Sequence, residues 1–82
     1  MKIIMGIQID NRDADAVKVQ ELLTNHGCII KTRLGIHEAA SHMCSSSGLI
    51  LIEFLPDCEN EVEKLESALA ELNDITVKKM VF

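Results

Sequence analysis

The stretch that decides the fold is residues 49–55, LILIEFL, which Pro56 and Asp57 follow directly. Every residue of this stretch is apolar except Glu53. A short apolar run that stops at a proline is typical of a buried β-strand, because proline cannot donate a hydrogen bond to a strand ladder. The sequence therefore predicts a strand here, with further elements on either side of it.

Upstream of this strand the spacing of apolar residues changes twice. Ile3–Ile9 alternates with the period of a strand, and the polar segment that begins at Asp10 favours the start of a helix. That helix is predicted to end at Gly27 in a left-handed cap, and residues 28–36 alternate again and predict a second strand. The apolar face of the helix consists of Ala16, Val19, Leu22, Leu23 and His26.

Downstream, a second helix and a last strand are predicted. The first turn of the helix is rich in carboxylates, which suit the positive end of the helix dipole. Its apolar seam consists of Val62, Leu65, Leu69 and Leu72. Residues 75–82 predict a strand at a sheet edge, because Lys78 and Lys79 oppose pairing with another chain. The order β-α-β-β-α-β predicts an α+β, ferredoxin-like sandwich, a four-stranded antiparallel sheet with two helices on one face.

Composition and charge disfavour several classes of function. The 82 residues are enough for one domain, so residues 1–82 are expected to form a single unit. A net charge of −5 disfavours direct binding of nucleic acid, because phosphate contacts need clustered cations. No apolar run is long enough for a membrane span or a secretory signal. The three scattered cysteines do not form a disulfide framework, so we expect a cytoplasmic protein.

Side-chain alternation predicts what lies on the sheet face that two helices leave uncovered. In the second strand, the residues expected to face the helices are Cys28, Ile30, Thr32, Leu34 and Ile36, and those expected to point away are Ile29, Lys31, Arg33, Gly35 and His37. The expected outward apolar set is Ile4, Ile29, Leu49, Leu51 and Leu55. Lys31 or Arg33 is expected to pair with Glu53 on this face. Because a contiguous apolar patch favours a partner, we expect a homodimer or a higher homo-oligomer.

The segment between the second and third strands holds three side chains that bind transition metals. His37, His42 and Cys44 are separated by five and two positions, with Glu38 beside the first. Imidazole and thiolate suit zinc, nickel or copper, so a transition metal is the one cofactor that the sequence suggests. Structural zinc sites usually have four ligands in paired spacing, however, and a solvated polar loop is the alternative interpretation.

Two short motifs give the chain a family resemblance. Asn11-Arg12 precedes the first helix, and Arg33-Leu34-Gly35-Ile36 ends the second strand. Over essentially its full length the chain resembles the iron-only hydrogenase system regulators. These are small ACT-like proteins with a ferredoxin-like fold, similar to the carboxy-terminal regulatory domain of the nickel-responsive repressor.

The resemblance implies a homo-oligomeric regulatory or ligand-sensing module rather than an enzyme, and no nucleophile with a base and an orienting group is visible in the sequence. A transcriptional role would act through a partner protein, because the DNA-binding part of the repressor has no counterpart in this sequence. In ACT-like domains the loop before the first helix lines a small-molecule site, so Asn11 and Arg12, together with Arg33, are the implied ligand contacts. The alternative is that Asn11 caps the helix and that Arg12 is solvated.

Overall fold

A computed structural model describes residues 1–10, 12–36 and 48–82 of the chain. The strands are β1 (Ile3–Ile9), β2 (Ile30–Ile36), β3 (Gly48–Phe54) and β4 (Ile75–Val81), and the helices are α1 (Arg12–Asn25) and α2 (Glu59–Ala70). A short 3-10 helix (Gly27–Ile29) precedes β2. The sheet has the order β2-β3-β1-β4, with every neighbouring pair antiparallel. The predicted α+β, ferredoxin-like fold is therefore confirmed.

The core lies between one face of the sheet and the two helices. From the sheet, Met5, Ile7 and Ile52 are completely buried. The helix side chains in the same cluster, each at most 1% exposed, are Val19, Leu23, Val62, Leu65 and Leu69. Their helical spacing confirms the two apolar faces predicted from the sequence, because only that spacing brings them to one side of a helix. Among the described residues, no helix is long and apolar enough to cross a membrane.

The junction between α1 and β2 differs from the prediction. The half-buried His26 donates from Nδ1 to the Leu22 carbonyl oxygen at 2.8 Å, which satisfies a carbonyl at the end of α1. Gly27 does not have the positive φ of a left-handed cap and instead begins the 3-10 helix. This extra turn buries Ile29 at 9% exposure and leaves Cys28 exposed. The prediction of a strand beginning at Cys28, with Cys28 inward and Ile29 outward, is therefore wrong.

A β-bulge in β2 changes the alternation of its side chains. Ile30 pairs with Phe54 of β3, and the next pair along the ladder is Thr32 with Glu53. Lys31 is thus an extra residue on β2, with no residue of its own opposite it on β3. Because side chains alternate with a period of two, one extra residue exchanges the two faces of the strand beyond it.

The exchange overturns the faces predicted for β2. Arg33 and Gly35 pair with Ile52 and Ile50, whose side chains are buried beneath the helices. Arg33 and Gly35 therefore lie on the helix side, and the prediction that they point away is wrong. The residues that turn to the opposite face are Thr32, Leu34 and Ile36, which the sequence analysis assigned to the helix side.

Two turns contain an aspartate with left-handed backbone. Asp57 has a φ of 62° between β3 and α2, and Asp74 has a φ of 59° just before β4. Short polar side chains tolerate this conformation better than most L-residues do. The Asp10 N–H donates to the Asp74 carbonyl oxygen at 2.9 Å. This bond ties the start of β4 to the end of β1.

Candidate functional site

No element among the described residues covers the sheet face opposite the helices, and this face is apolar at its centre. We call it the outer face, and its apolar members are Ile4, Leu34, Ile36, Leu49, Leu51 and Met80. Leu34 and Met80 are 54% and 53% exposed. Gly6 lies among them, and a Cβ at this position would lie 3.6 Å from Leu51 Cδ2. A contiguous apolar patch on a sheet is typical of an association surface.

The outward set predicted from the sequence is partly confirmed. The confirmed members on the outer face are Ile4, Leu49 and Leu51, and Leu55 is 39% exposed just beyond β3. Ile29 was assigned wrongly, because the 3-10 helix turns it into the core. The bulge brings Leu34 and Ile36 to the outer face, so the patch is larger than predicted.

A polar cluster borders the outer face around Glu53. Glu53 Oε2 lies 3.8 Å from Nζ of both Lys2 and Lys31, and the Thr32 hydroxyl donates to Glu53 Oε1 at 3.3 Å. The predicted pairing of Lys31 with Glu53 is confirmed, whereas Arg33 lies on the other face. Both lysines are more than half exposed, so each pair adds at most about 1 kcal/mol to stability. Their main effect is to favour one register of the neighbouring strands.

A cleft of about 380 Å³ lies on the helix side of the sheet, beside α1. Its lining residues are Ile9, Ala16, Gln20, Arg33, Gly35, Gly48, Leu49 and Ile50. Ile9 and Ile50 are 4% and 8% exposed and form an apolar floor. The described part of the lining therefore combines apolar surface with one cation and one amide side chain.

The bulge in β2 explains why this cleft exists. Because Lys31 is an extra residue, Arg33 and Gly35 face α1 in place of Leu34 and Ile36. Glycine has no side chain to fill the space beneath the helix. A Cβ added at Gly35 would meet no heavy atom of the described part of the chain within 4 Å. The same residue that enlarges the apolar outer face therefore opens the cleft on the other side.

Arg33 is the charged side chain of the cleft. Its Nη2 donates to Oε1 of Gln20 on α1, so the guanidinium reaches from β2 to the helix. Among the described side chains, no carboxylate lies within ion-pair distance of Arg33. A guanidinium has five N–H donors in a planar fork, and the contact with Gln20 uses one of them. The remaining donors suit a bound anion.

The other predicted site residues are only partly described. Arg12 is the first residue of α1, and Asn11 lies outside the described residues. His37, His42 and Cys44 also lie outside them, so the metal site stays a prediction. Within the described part of the chain, no three His, Cys, Asp or Glu side chains come together to hold a metal ion.

Gln20 and Gly35 line the cleft but were not predicted as site residues from the sequence. A glycine inside a strand often marks a bulge or a close approach, so Gly35 carried a signal that could have been used. Gln20 carried none, because a polar residue on an exposed helix surface is ordinary. Its role appears only when β2 places Arg33 against α1.

No protein-family model matches the sequence, and no curated protein matches it either. Solved structures do resemble it. The uncharacterized protein TM1266 from Thermotoga maritima has a TM-score of 0.79 and 22% identity, over 96% of this chain and 92% of that chain. A dimeric ferredoxin-like protein from an uncultured marine organism has a TM-score of 0.52 and 7% identity, over 96% and 89% of the two chains. The regulatory subunit of aspartate kinase from Thermus flavus has a TM-score of 0.51 and 22% identity, over 94% and 50%.

At these identities the likeness shows the fold alone. The structural neighbours include a regulatory subunit, a dimeric protein and an uncharacterized one. TM1266 matches this chain over nearly its whole length, whereas the match to the aspartate kinase subunit covers half of that subunit. The chain therefore has a ferredoxin-like, ACT-like fold of a kind that also occurs in regulatory proteins and in dimers.

Proposed function

We propose that residues 1–82 act as one homo-oligomeric, ligand-binding regulatory domain whose copies associate through the outer face. The observation that carries this proposal is the set of exposed apolar side chains on that face. Leu34, Ile36 and Met80 are each between 42% and 54% exposed, although they are as apolar as the core residues. A second copy is the simplest occupant, because two identical flat faces pair around a two-fold axis.

The size of the outer face suits a dimer of moderate affinity. Each of its four strands has seven residues, so the face is roughly 19 Å wide and roughly 23 Å long. Two such faces in contact bury roughly 900 Å², near the roughly 1,000 Å² expected of a specific interface. If half of that area is apolar, burial stabilises the dimer by about 11 kcal/mol, and association costs at least about 4 kcal/mol. The difference corresponds to a dissociation constant of about 10 µM or weaker.

The proposed ligand contacts are Asn11, Arg12 and Arg33. Arg33 is supported by its place in the cleft and by its contact with Gln20. Arg12 begins the helix that supplies Gln20 to the same cleft. Asn11 is proposed from the family resemblance, because it lies outside the described residues. A ligand held between β2 and α1 would join a strand of the association surface to the helix layer.

The regulatory role is supported by the resemblance to the iron-only hydrogenase system regulators and by the regulatory subunit among the structural neighbours. The net charge of −5 supports action through a partner protein rather than through direct contact with nucleic acid. Cys28 and Cys58 are free thiols, which supports a reducing cytoplasm. The proposal assigns no catalytic step to the chain.

A transition-metal site formed by His37, His42 and Cys44 is the second proposal, and it is supported by the donor chemistry of the sequence alone. Zinc and nickel titrations of the wild type and of the His42→Ala variant test it. We expect the variant to lose at least part of the bound metal. An unchanged stoichiometry contradicts the site.

Sedimentation velocity tests the association, at protein concentrations between about 10 and about 500 µM, which bracket the expected dissociation constant. Two variants add the same positive charge to an exposed apolar residue. Leu34→Lys places it on the outer face, and Val17→Lys places it on α1, where Val17 is 64% exposed. We expect the wild type and V17K to approach twice the chain mass of 9.1 kDa and L34K to remain at 9.1 kDa.

Either of two results contradicts the association. One is a wild-type mass of 9.1 kDa at every concentration. The other is equal dissociation of V17K and L34K, which would indicate an effect of charge in general. Circular dichroism checks that both variants keep the fold, as expected for substitutions of exposed residues.

A further inference from the structure

The cleft beside α1 combines features of a small-molecule site. Its volume of about 380 Å³ falls within the range of ligand sites, about 300–1,000 Å³. Ile9 and Ile50 provide an apolar floor, and Gly35 and Gly48 leave room along the ends of two strands. Arg33 supplies a positive charge at the same place. An apolar site with one cation favours a ligand that is itself partly apolar and singly charged.

A carboxylate matches the Arg33 guanidinium in charge and in shape. The planar fork of a guanidinium donates two parallel hydrogen bonds to the two oxygens of a carboxylate. Gln20 accepts from Arg33 through Oε1, which leaves its amide nitrogen as a further donor in the cleft. The contact between the two side chains thus holds both donor groups near one another before any ligand is present.

Other charged ligands fit the lining less well. Among the described residues that line the cleft, Arg33 is the one charged side chain, and none is aspartate or glutamate. A phosphate dianion generally needs more than one cation or a set of backbone N–H groups. The net charge of −5 also repels a dianion twice as strongly as a monoanion. The ammonium group of an amino acid would find no carboxylate partner among the lining residues that the structure describes.

We propose that this cleft binds a small aliphatic monocarboxylate, with Arg33 holding the carboxylate and Ile9 and Ile50 contacting the aliphatic chain. The proposal rests on the ligand-binding role proposed above and specifies the chemical class of the ligand. It does not depend on which surface joins the copies of the chain. The carboxylate binds to the guanidinium donors that Gln20 does not use.

The test is a titration with 4-methylvalerate, followed by the backbone amide signals in ¹H–¹⁵N spectra. The uncharged 4-methylvaleramide is the matched control ligand. The amide signals of the four glycines show where the ligand binds. Gly35 and Gly48 line the cleft, whereas Gly6 lies on the outer face and Gly27 follows α1. We expect the acid to shift Gly35 and Gly48 with a dissociation constant of about 1 mM, while Gly6 and Gly27 stay in place. The amide is expected to bind at least about tenfold more weakly.

Three variants separate recognition by Arg33 from the overall charge of the protein. Arg33→Gln removes the cation from the cleft, and Lys31→Gln removes a cation from the outer face of the same strand. We expect R33Q to weaken binding at least about tenfold and K31Q to change it by less than about twofold. Gly35→Val adds apolar volume to the cleft at a position where the new Cβ meets no heavy atom of the described residues within 4 Å. This variant is expected to abolish binding.

Several results overturn the assignment. These are equal binding of the acid and its amide, equal weakening by R33Q and K31Q, or no shift of Gly35 and Gly48 up to roughly 50 mM acid. Tighter binding of inorganic phosphate or of free leucine overturns it as well. Sedimentation of the same samples measures association separately, so a failure of the carboxylate proposal is distinguishable from a failure of the proposed dimer.

Discussion

Deletion of Lys31 tests how the bulge in β2 assigns the two faces of that strand. Without the extra residue, Ile30 and Thr32 become neighbours in a regular ladder opposite the same partners on β3. Leu34 and Ile36 therefore stay on the outer face, and the association surface and the cleft are both kept. If Lys31 were instead an ordinary member of the ladder, its deletion would turn Leu34 and Ile36 toward α1.

The exposed fractions of these two side chains show how far apart the two outcomes lie. Leu34 is 54% and Ile36 is 42% exposed, which for side chains of this size is roughly 170 Å² of apolar surface. Turning them toward α1 would raise the free energy of unfolding of the monomer by up to about 4 kcal/mol and would remove that area from the association surface. With the faces kept, the deletion loses the exposed Lys31–Glu53 pair, which contributes at most about 1 kcal/mol. We therefore expect the free energy of unfolding to change by about 1 kcal/mol or less, with self-association kept.

Urea unfolding at low protein concentration measures the stability, and sedimentation measures the association. Lys31→Ala is the matched control, because it removes the same side chain and keeps the extra backbone residue. It is expected to change the stability by less than about 0.5 kcal/mol and to leave the dimer intact. A deletion variant that is more stable than the wild type by about 2 kcal/mol or more, or that no longer dimerises, refutes the reasoning.

Three further predictions concern packing, backbone and charge. Leu69 is fully buried on α2, so Leu69→Ala should lower the free energy of unfolding, measured in urea, by about 2–5 kcal/mol. A loss below about 1 kcal/mol would show that neighbouring side chains move to fill the cavity. Asp74 has a φ of 59°, so Asp74→Gly should leave the free energy of unfolding almost unchanged, whereas Asp74→Ala should lower it by about 1 kcal/mol. Equal melting temperatures for the two variants would argue against backbone strain at this position. A double-mutant cycle of Glu66→Gln and Lys79→Gln should give a coupling of about 0.5–1 kcal/mol that decreases with salt, since this 2.9 Å pair is about one-third exposed. Coupling that persists in about 1 M salt contradicts a surface pair.

The elements and their order could be predicted because their signals are local. The spacing of Val62, Leu65 and Leu69 places three side chains on one side of a helix whatever surrounds it. The apolar run before Pro56 ends a strand for a reason that lies in the backbone of proline. Such signals are contained within one turn or one strand, so a single sequence reveals them.

The two faces of β2 could not be predicted, because they depend on a contact between distant elements. Residues 28–36 alternate in a way that fits an unbroken strand. In the structure this alternation is interrupted, because Ile29 packs into the core after a 3-10 turn and Lys31 becomes the extra residue. No local pattern marks that choice. The position of Arg33 in the cleft depends on it, which is why Arg33 could be chosen as a ligand contact but assigned to the wrong side.

The outer face and the rest of the molecule carry opposite charge. Lys2, Lys31 and Lys78 against Glu53 give this face a net charge of +2. Because the whole chain carries −5, the remaining residues carry −7. In the proposed dimer both outer faces would be covered and the acidic side of each copy would point away from its partner, so two dimers would meet like charge rather than an apolar sheet. Assembly would therefore stop at two copies, and electrostatic repulsion would prevent the stacking into open-ended fibres that an uncharged helix layer would allow.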